Sequence, residues 1–239
     1  MCNVYEPATE EYLHAQWSHL KEILRPYKPR IGPRDDGPFV SQNRVAVGQW
    51  GMIRPGSPVR VDKTPKGRQY STNNARIEDI TKRRTYSEAW KVGRCCLIPT
   101  IRYDEPYWGP FETFNSKSKN TWWRFWRADG QPFALAGLWD ERTDPATGEV
   151  VPNYTMLTMN CDEHPILKFM HKPELGTDKK TPLPRSKQDK RAVIPIEESD
   201  WDRWLFGSIK DAISLIKLPA PALLRHGPAD PTVNVTLPV

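Results

Sequence analysis

Cysteine is scarce in this 239-residue chain: there are four, Cys2, Cys95, Cys96 and Cys161, at irregular spacing. That excludes a disulfide framework and suits a reducing compartment, where a thiol stays free. Adjacent cysteines do not make the paired spacing of a zinc site, so no metal or other cofactor is expected at Cys95, Cys96, Cys161 and His164. No apolar run approaches the roughly 18 residues of a membrane span. The first residues, with Glu6, Glu10 and Glu11, lack the basic start and apolar stretch of a signal peptide. Internal repeats are absent. These lacks predict a cytoplasmic bacterial protein with no membrane partner, and a monomer.

Two features are in excess. Lysine and arginine number 35 against 29 acids, a net charge of +6, which points toward a polyanionic partner. There are ten tryptophans, each able to fill a core or to stack on an unpaired base.

The chain opens Met1-Cys2-Asn3. Cysteine is small enough for the initiator to be removed, which leaves Cys2 with a free α-amine (pKa about 8) beside its thiol (about 8.5). Such a pair condenses with an aldehyde in two steps. The amine forms an imine, and the thiolate then closes a five-membered thiazolidine.

Apolar spacing predicts a helix over 8–24, with Tyr12, Leu13, Trp17, Leu20 and Leu24 on one side. The Pro- and Gly-rich stretch 26–38 reads as an exposed loop and 45–53 as a strand ending at a Trp50-Gly51 corner. Residues 54–72 look irregular, and 86–92 read as a short helix. Strands follow at 95–103, 122–127, 132–141 and 150–160, with turns at Asp129-Gly130 and over 144–148. Residues 163–171 read as a short helix, 172–190 as a mobile basic loop and 191–196 as a last strand. Ser199 is expected to cap a helix bearing Trp201, Trp204 and Leu205, and a second helix covers 208–216. The fold class is α+β: one domain over 1–218, mostly antiparallel sheet curled into a barrel-like core with peripheral helices, then a Pro-rich tail over 219–239.

Four further stretches stand out: Gly48-Gln49-Trp50-Gly51-Met52-Ile53-Arg54-Pro55; Asn74-Ala75-Arg76 with Glu78; Gly93-Arg94-Cys95-Cys96-Leu97-Ile98-Pro99 with Glu105 six residues on; and Asn160-Cys161-Asp162-Glu163-His164-Pro165 leading to His171-Lys172-Pro173. With Met1-Cys2 they resemble, in order, the SOS-response-associated peptidase (SRAP) family, whose members process abasic sites in DNA. The resemblance spans residues 2 to about 196. The chain departs from the family pattern in having Asn3-Val4-Tyr5 after the cysteine, Pro106 where a Trp is usual, and an insertion over 172–190.

The resemblance implies a single β-rich domain with the N-terminal Cys in a cleft. It implies that Cys2 captures the aldehyde of an abasic site in single-stranded DNA as a covalent thiazolidine crosslink, in the DNA damage response and at the nucleoid. Asn74 is then the group that orients the opened sugar or the Cys2 amine, Glu105 an acid/base and His171 a second. Arg76 and Arg191 are implied to hold phosphates. The chemistry calls for the same types. Sugar ring opening and loss of water from a carbinolamine both need an acid, and an amide can donate and accept at once. Asp104 rivals Glu105, and His164 rivals His171. Trp50 either stacks on a base or fills the core. An imine at C1′ acidifies C2′, so a β-elimination lyase activity is open too. The alternative reading is an N-terminal-Cys amidohydrolase or peptidase with its own α-amine as base, and a non-catalytic single-strand-binding module is a third.

Overall fold

The computed structural model describes residues 2–23, 25–115 and 117–237. Its centre is a closed five-stranded barrel. β3 (Asp36–Ser41) and β4 (Arg44–Trp50) form a hairpin. The 13-residue β6 (Cys95–Tyr107) pairs at Val40 with β3 and through Cys95–Thr100 with β8 (Phe133–Thr143). β8 runs antiparallel to β9 (Val150–Asn160), and β9 returns to β4 in parallel at Gln49–Asn153 and Trp50–Tyr154. Glycine permits two of the close approaches. A Cβ on Gly48 would sit 2.6 Å from the Pro152 carbonyl oxygen, and one on Gly137 would sit 2.7 Å from that of Thr155. The barrel is one α+β domain, as its sequence predicts.

Strands outside the barrel carry the site. β1 (Val4–Pro7) lies antiparallel to the second half of β6, whose Arg102–Tyr107 also pairs with β7 (Thr121–Arg127). β5 (Asn74–Arg76) runs parallel to β9 at Met156–Thr158, and β10 (Arg191–Val193) pairs with the end of β9. The tail expected from 219 onward joins the domain: β11 (Leu224–Pro228) pairs with β7, and Leu218, Leu223, Val235 and Leu237 pack on the core.

Helices cover one side: α1 (Glu10–Trp17), α2 (Arg84–Lys91), α3 (Trp201–Phe206) and α4 (Ile209–Leu215). Trp17 meets Trp201 at 4.8 Å between ring centroids, and Trp204 donates its indole N–H to the Cys96 carbonyl at 2.8 Å. Ser208 caps α4 through a reciprocal bond with Asp211, whereas α3 begins from a 3-10 turn at Glu198–Asp200 with no side-chain cap from Ser199.

Three expected elements differ. The first helix stops at Trp17, and Lys21–Ile23 becomes β2, parallel to β4; Leu24 lies outside the described residues. The loop over 26–38 yields to β3 at Asp36, because Gly37 lets the strand pass against the Tyr5 and Tyr154 hydroxyls, which bond each other. Residues 163–171 hold a 3-10 turn at Leu167–Phe169 in place of a full helix; His164 Nδ1 accepts from the amides of Ile166 and Leu167, and its carbonyl accepts from Lys168 at 3.3 Å.

Candidate active site

The alternation of β6 separates its two acids. Neighbouring residues on a strand face opposite ways. Asp104 turns to Arg30 (2.8 Å) and Arg124 (2.8 and 3.0 Å), a buried carboxylate held by two arginines that reach solvent. Glu105 turns to the imidazole of His171, with Nε2 3.5 Å from its Oε2. The two histidines are likewise placed apart. His164 spends Nε2 on the Pro219 carbonyl (3.0 Å) and Nδ1 on two amides, which makes it a structural cap.

His171 Nε2 also lies 3.0 Å from the Arg191 carbonyl oxygen. A carbonyl only accepts, so this nitrogen carries the proton. Burial, then the chain's amino-terminal charge, hold the imidazole well below its usual range, so it is neutral at pH 7. Burial pushes the Glu105 carboxyl the other way, from 4.5 up to about 7, against the pull of the same terminal charge. A carboxyl half protonated at neutral pH beside a neutral imidazole is a competent acid/base pair.

Cys2 belongs to this cluster. It has no exposed surface, and burial and the Glu105 charge raise its thiol well above the ordinary value. Its carbonyl accepts from Asn74 Nδ2 at 2.7 Å and from Asn73 Nδ2 at 3.2 Å. Met1 lies outside the described residues. Tyr103 and Cys161 are buried as well, and after burial itself the Glu105 charge helps raise both. Among the described residues no group of three or more His, Cys, Asp or Glu could hold a metal ion.

Asn74 faces two ways. Besides holding Cys2 it lines a groove of about 490 Å³ with Arg54, Tyr70, Arg76, Lys82, Arg83, Arg84 and Tyr86. Five cations there face one acid, Asp79. The Arg54 guanidinium lies 3.9 Å from the centre of the Tyr70 ring, and Arg76 is half-exposed with a 2.6 Å contact to Asp189.

Two expected contact residues fall elsewhere. Trp50 is fully buried, edge-on to Tyr5 at 5.1 Å, with its indole N–H on the Asn73 carbonyl (2.8 Å). No ring face is open to a base, so its place is the core. Arg191 is buried against Glu78 (2.5 and 3.0 Å), Asp189 (3.1 Å) and the Thr158 carbonyl (3.0 Å). It ties β10 to β9 and has no exposed face for a phosphate. Sequence reasoning missed Asn73 and Arg54. Arg54 sits inside a quoted motif and Asn73 immediately before one, but spacing alone does not say which way either points. Lys82, Arg83 and Arg84 read in sequence most simply as solvated charge, some of it contacting phosphates non-specifically.

A closed barrel presenting a cysteine near the amino terminus to a buried carboxyl–imidazole pair defines the class of fold and site. The same fold occurs in solved structures from Bordetella bronchiseptica (TM-score 0.76, 26% identity, covering 96% of this chain and 100% of that one) and Bacteroides thetaiotaomicron (0.68, 15%, 97% of each chain). A phage-related protein from Bordetella bronchiseptica shares it at 0.57 and 14%, covering 95% of this chain and 93% of that one. No curated protein matches the chain significantly. The sequence model of the SOS response associated peptidase (SRAP) family matches residues 1–235, and the chain belongs to that family. Membership associates it with the SOS response to DNA damage. Among the described residues no helix is long and apolar enough to cross a membrane.

Proposed function

We propose that the protein captures abasic sites in single-stranded DNA, forming a thiazolidine between Cys2 and the sugar aldehyde once Met1 is removed. The observation that carries this reading is the meeting of Cys2, Asn74, Glu105 and His171 in one buried cluster at the end of a cationic groove. Lys82, Arg84 and the exposed part of Arg76 take the phosphates, and Asn74 is the hinge between groove and cluster.

The chemistry follows from the charge states. The α-amine adds to the C1′ aldehyde to give a carbinolamine. Glu105, half protonated near pH 7, donates a proton to its hydroxyl, water leaves and the iminium remains. The resulting carboxylate accepts the thiol proton as the sulfur attacks the iminium carbon, so the ring closes with no net change in protons at Glu105. His171, neutral with its proton on Nε2, stabilises the carboxylate as it forms. The buried Oδ1 of Asn74 has no partner among the described residues and accepts from the carbinolamine or the amine. Ring closure by sulfur competes with β-elimination through the iminium, and the protection of Cys2 from solvent favours closure.

A peptidase using the Cys2 thiol finds less support. A hydrolytic cysteine needs its thiolate stabilised, and the cluster does the reverse. Amine-first chemistry does not require a thiolate at rest.

Uracil-glycosylase-treated single-stranded oligonucleotide should give a heat-stable adduct on a denaturing gel, with an intact mass of one DNA per Met1-less protein. Cys2→Ala should abolish it. Absence of the adduct, or its persistence in Cys2→Ala, rejects the reading; DNA binding that survives with no lesion preference identifies a simple binding module.

A further inference from the structure

His171 sits on a backbone that few side-chain-bearing residues adopt. Its φ is +64°, in the left-handed region, which sterics disfavour for a non-glycine residue. Three contacts hold it there. Its amide donates to the Pro106 carbonyl at 2.7 Å, tying it to β6, and its ring nitrogen donates to the Arg191 carbonyl at 3.0 Å, tying it to β10. The third comes from Lys190, whose Nζ donates to the His171 carbonyl at 2.7 Å.

Lys190 is an unusual residue for that place. It is 4% exposed and makes no ion pair among the described residues. Burying an ammonium without a paired carboxylate is costly, and neither packing nor solubility accounts for one here. Its main chain is fixed independently: the amide donates to Asp162 Oδ1 (2.7 Å), and the carbonyl accepts from the Cys161 amide (2.8 Å). The 18 residues between His171 and Lys190 loop away from the site. Their neck is closed by this contact and by Gln188, which bonds the Glu174 amide at 2.9 Å and the Leu183 carbonyl at 2.5 Å.

We propose that Lys190 is a positioning residue for the acid/base pair: its ammonium clamps the His171 carbonyl, holding the left-handed turn that aims the imidazole at Glu105. The imidazole faces Glu105, the amino-terminal charge and the Lys190 and Arg191 cations; the ammonium faces Cys161, Asp162 and Glu174. Burial brings the Lys190 ammonium down to about 8, and its charge helps hold His171 neutral. The kinetic part of the test rests on the capture reaction proposed above; the spectroscopic part does not.

The experiment follows the His171 ring resonances against pH by NMR in the full chain without DNA. In the wild type they should show an inflection near pH 8 that tracks Lys190, where the imidazole itself is already neutral. In Lys190→Met that inflection should vanish, and protonation of His171 should move up toward pH 6.5 as a neighbouring cation is lost. Capture of abasic DNA should slow about tenfold or more with affinity for undamaged single strands unchanged, and Lys190→Arg should restore the capture rate and the low His171 titration but not the inflection near pH 8, because a guanidinium does not titrate there. A folded Lys190→Met with wild-type His171 titration and capture rate overturns the proposal. Should Lys190→Met not fold, ring resonances that stay flat through pH 8 in the wild type overturn it as well. A wild type that captures nothing removes the reaction while leaving the NMR result to decide the clamp.

Discussion

At the residue scale, function and stability compete at Glu105. Its carboxyl keeps a proton to about pH 7 in the fold, so an acid-dependent capture rate should fall as pH rises past 7. Glu105→Gln should slow capture about 100-fold and remove that alkaline decline, measured as adduct formation against pH. Trp50 shows the opposite case of a conspicuous residue with a structural task. Trp50→Phe leaves the Asn73 carbonyl without its indole donor, although that oxygen also accepts from the Met156 amide. The variant should lose about 1 kcal/mol in urea unfolding and bind undamaged single strands like the wild type. Cys2, Asn74, Glu105 and His171, the residues on which the proposed capture rests, were each singled out in the sequence through the family resemblance and because that chemistry calls for their types. The choice of Glu105 over Asp104 was not settled there, because only pairing with β1 and β7 decides which acid of β6 faces inward.

At the element scale, ties between strands set the site. Arg191 joins β10 to β9 and to Glu78, which also accepts from the Asn160 amide. Arg191→Met removes a buried cation from a half-exposed Glu78 and from the Thr158 carbonyl, and should lower unfolding free energy by about 1–2 kcal/mol, seen by denaturant titration. If it instead weakened DNA binding with stability intact, the resemblance to a phosphate-binding arginine would be right and the structural assignment wrong. The strands with strong alternation, β7, β8 and β9, were readable from sequence to within a residue or two. β3 was not, because Asp36-Gly37-Pro38 carries turn residues whose purpose is the close passage of Tyr5 and Tyr154. The helix expected at 163–171 is reduced to a 3-10 turn at Leu167–Phe169, with the His164 ring capping the Ile166 and Leu167 amides.

At the scale of the whole molecule, charge is asymmetric and stability depends on pH. The groove cations predict salt-sensitive binding. Replacing Lys82 and Arg84 together by alanine should reduce the slope of log affinity against log salt by about 0.7 per lost contact, without changing capture at saturating DNA. Glu105 is protonated in the fold up to about 7, while in the unfolded chain it ionises near 4.5. The native state therefore holds the extra proton in that window, and this contribution to stability falls as pH rises from about 4.5 to 7. His171, kept neutral below 6.5 in the fold, works in the opposite sense and weakens the protein as pH drops. Glu105→Gln should therefore gain stability over the wild type at pH 8 relative to pH 5, measured by thermal unfolding at the two pH values.

Residue types and local spacing were enough to set the chemistry of Cys2 and its amine, the α+β class, the long strands and the family, because these depend on covalent structure and on patterns within one segment. Barrel closure decided the rest. It brought the start of the chain, β5, β6 and the turn at His171 together across more than 160 residues, buried Trp50 and Arg191, and gave Lys190 a carbonyl to hold. Those outcomes depend on which way a side chain points once strands from distant segments pair, and pairing partners are not encoded in any one stretch.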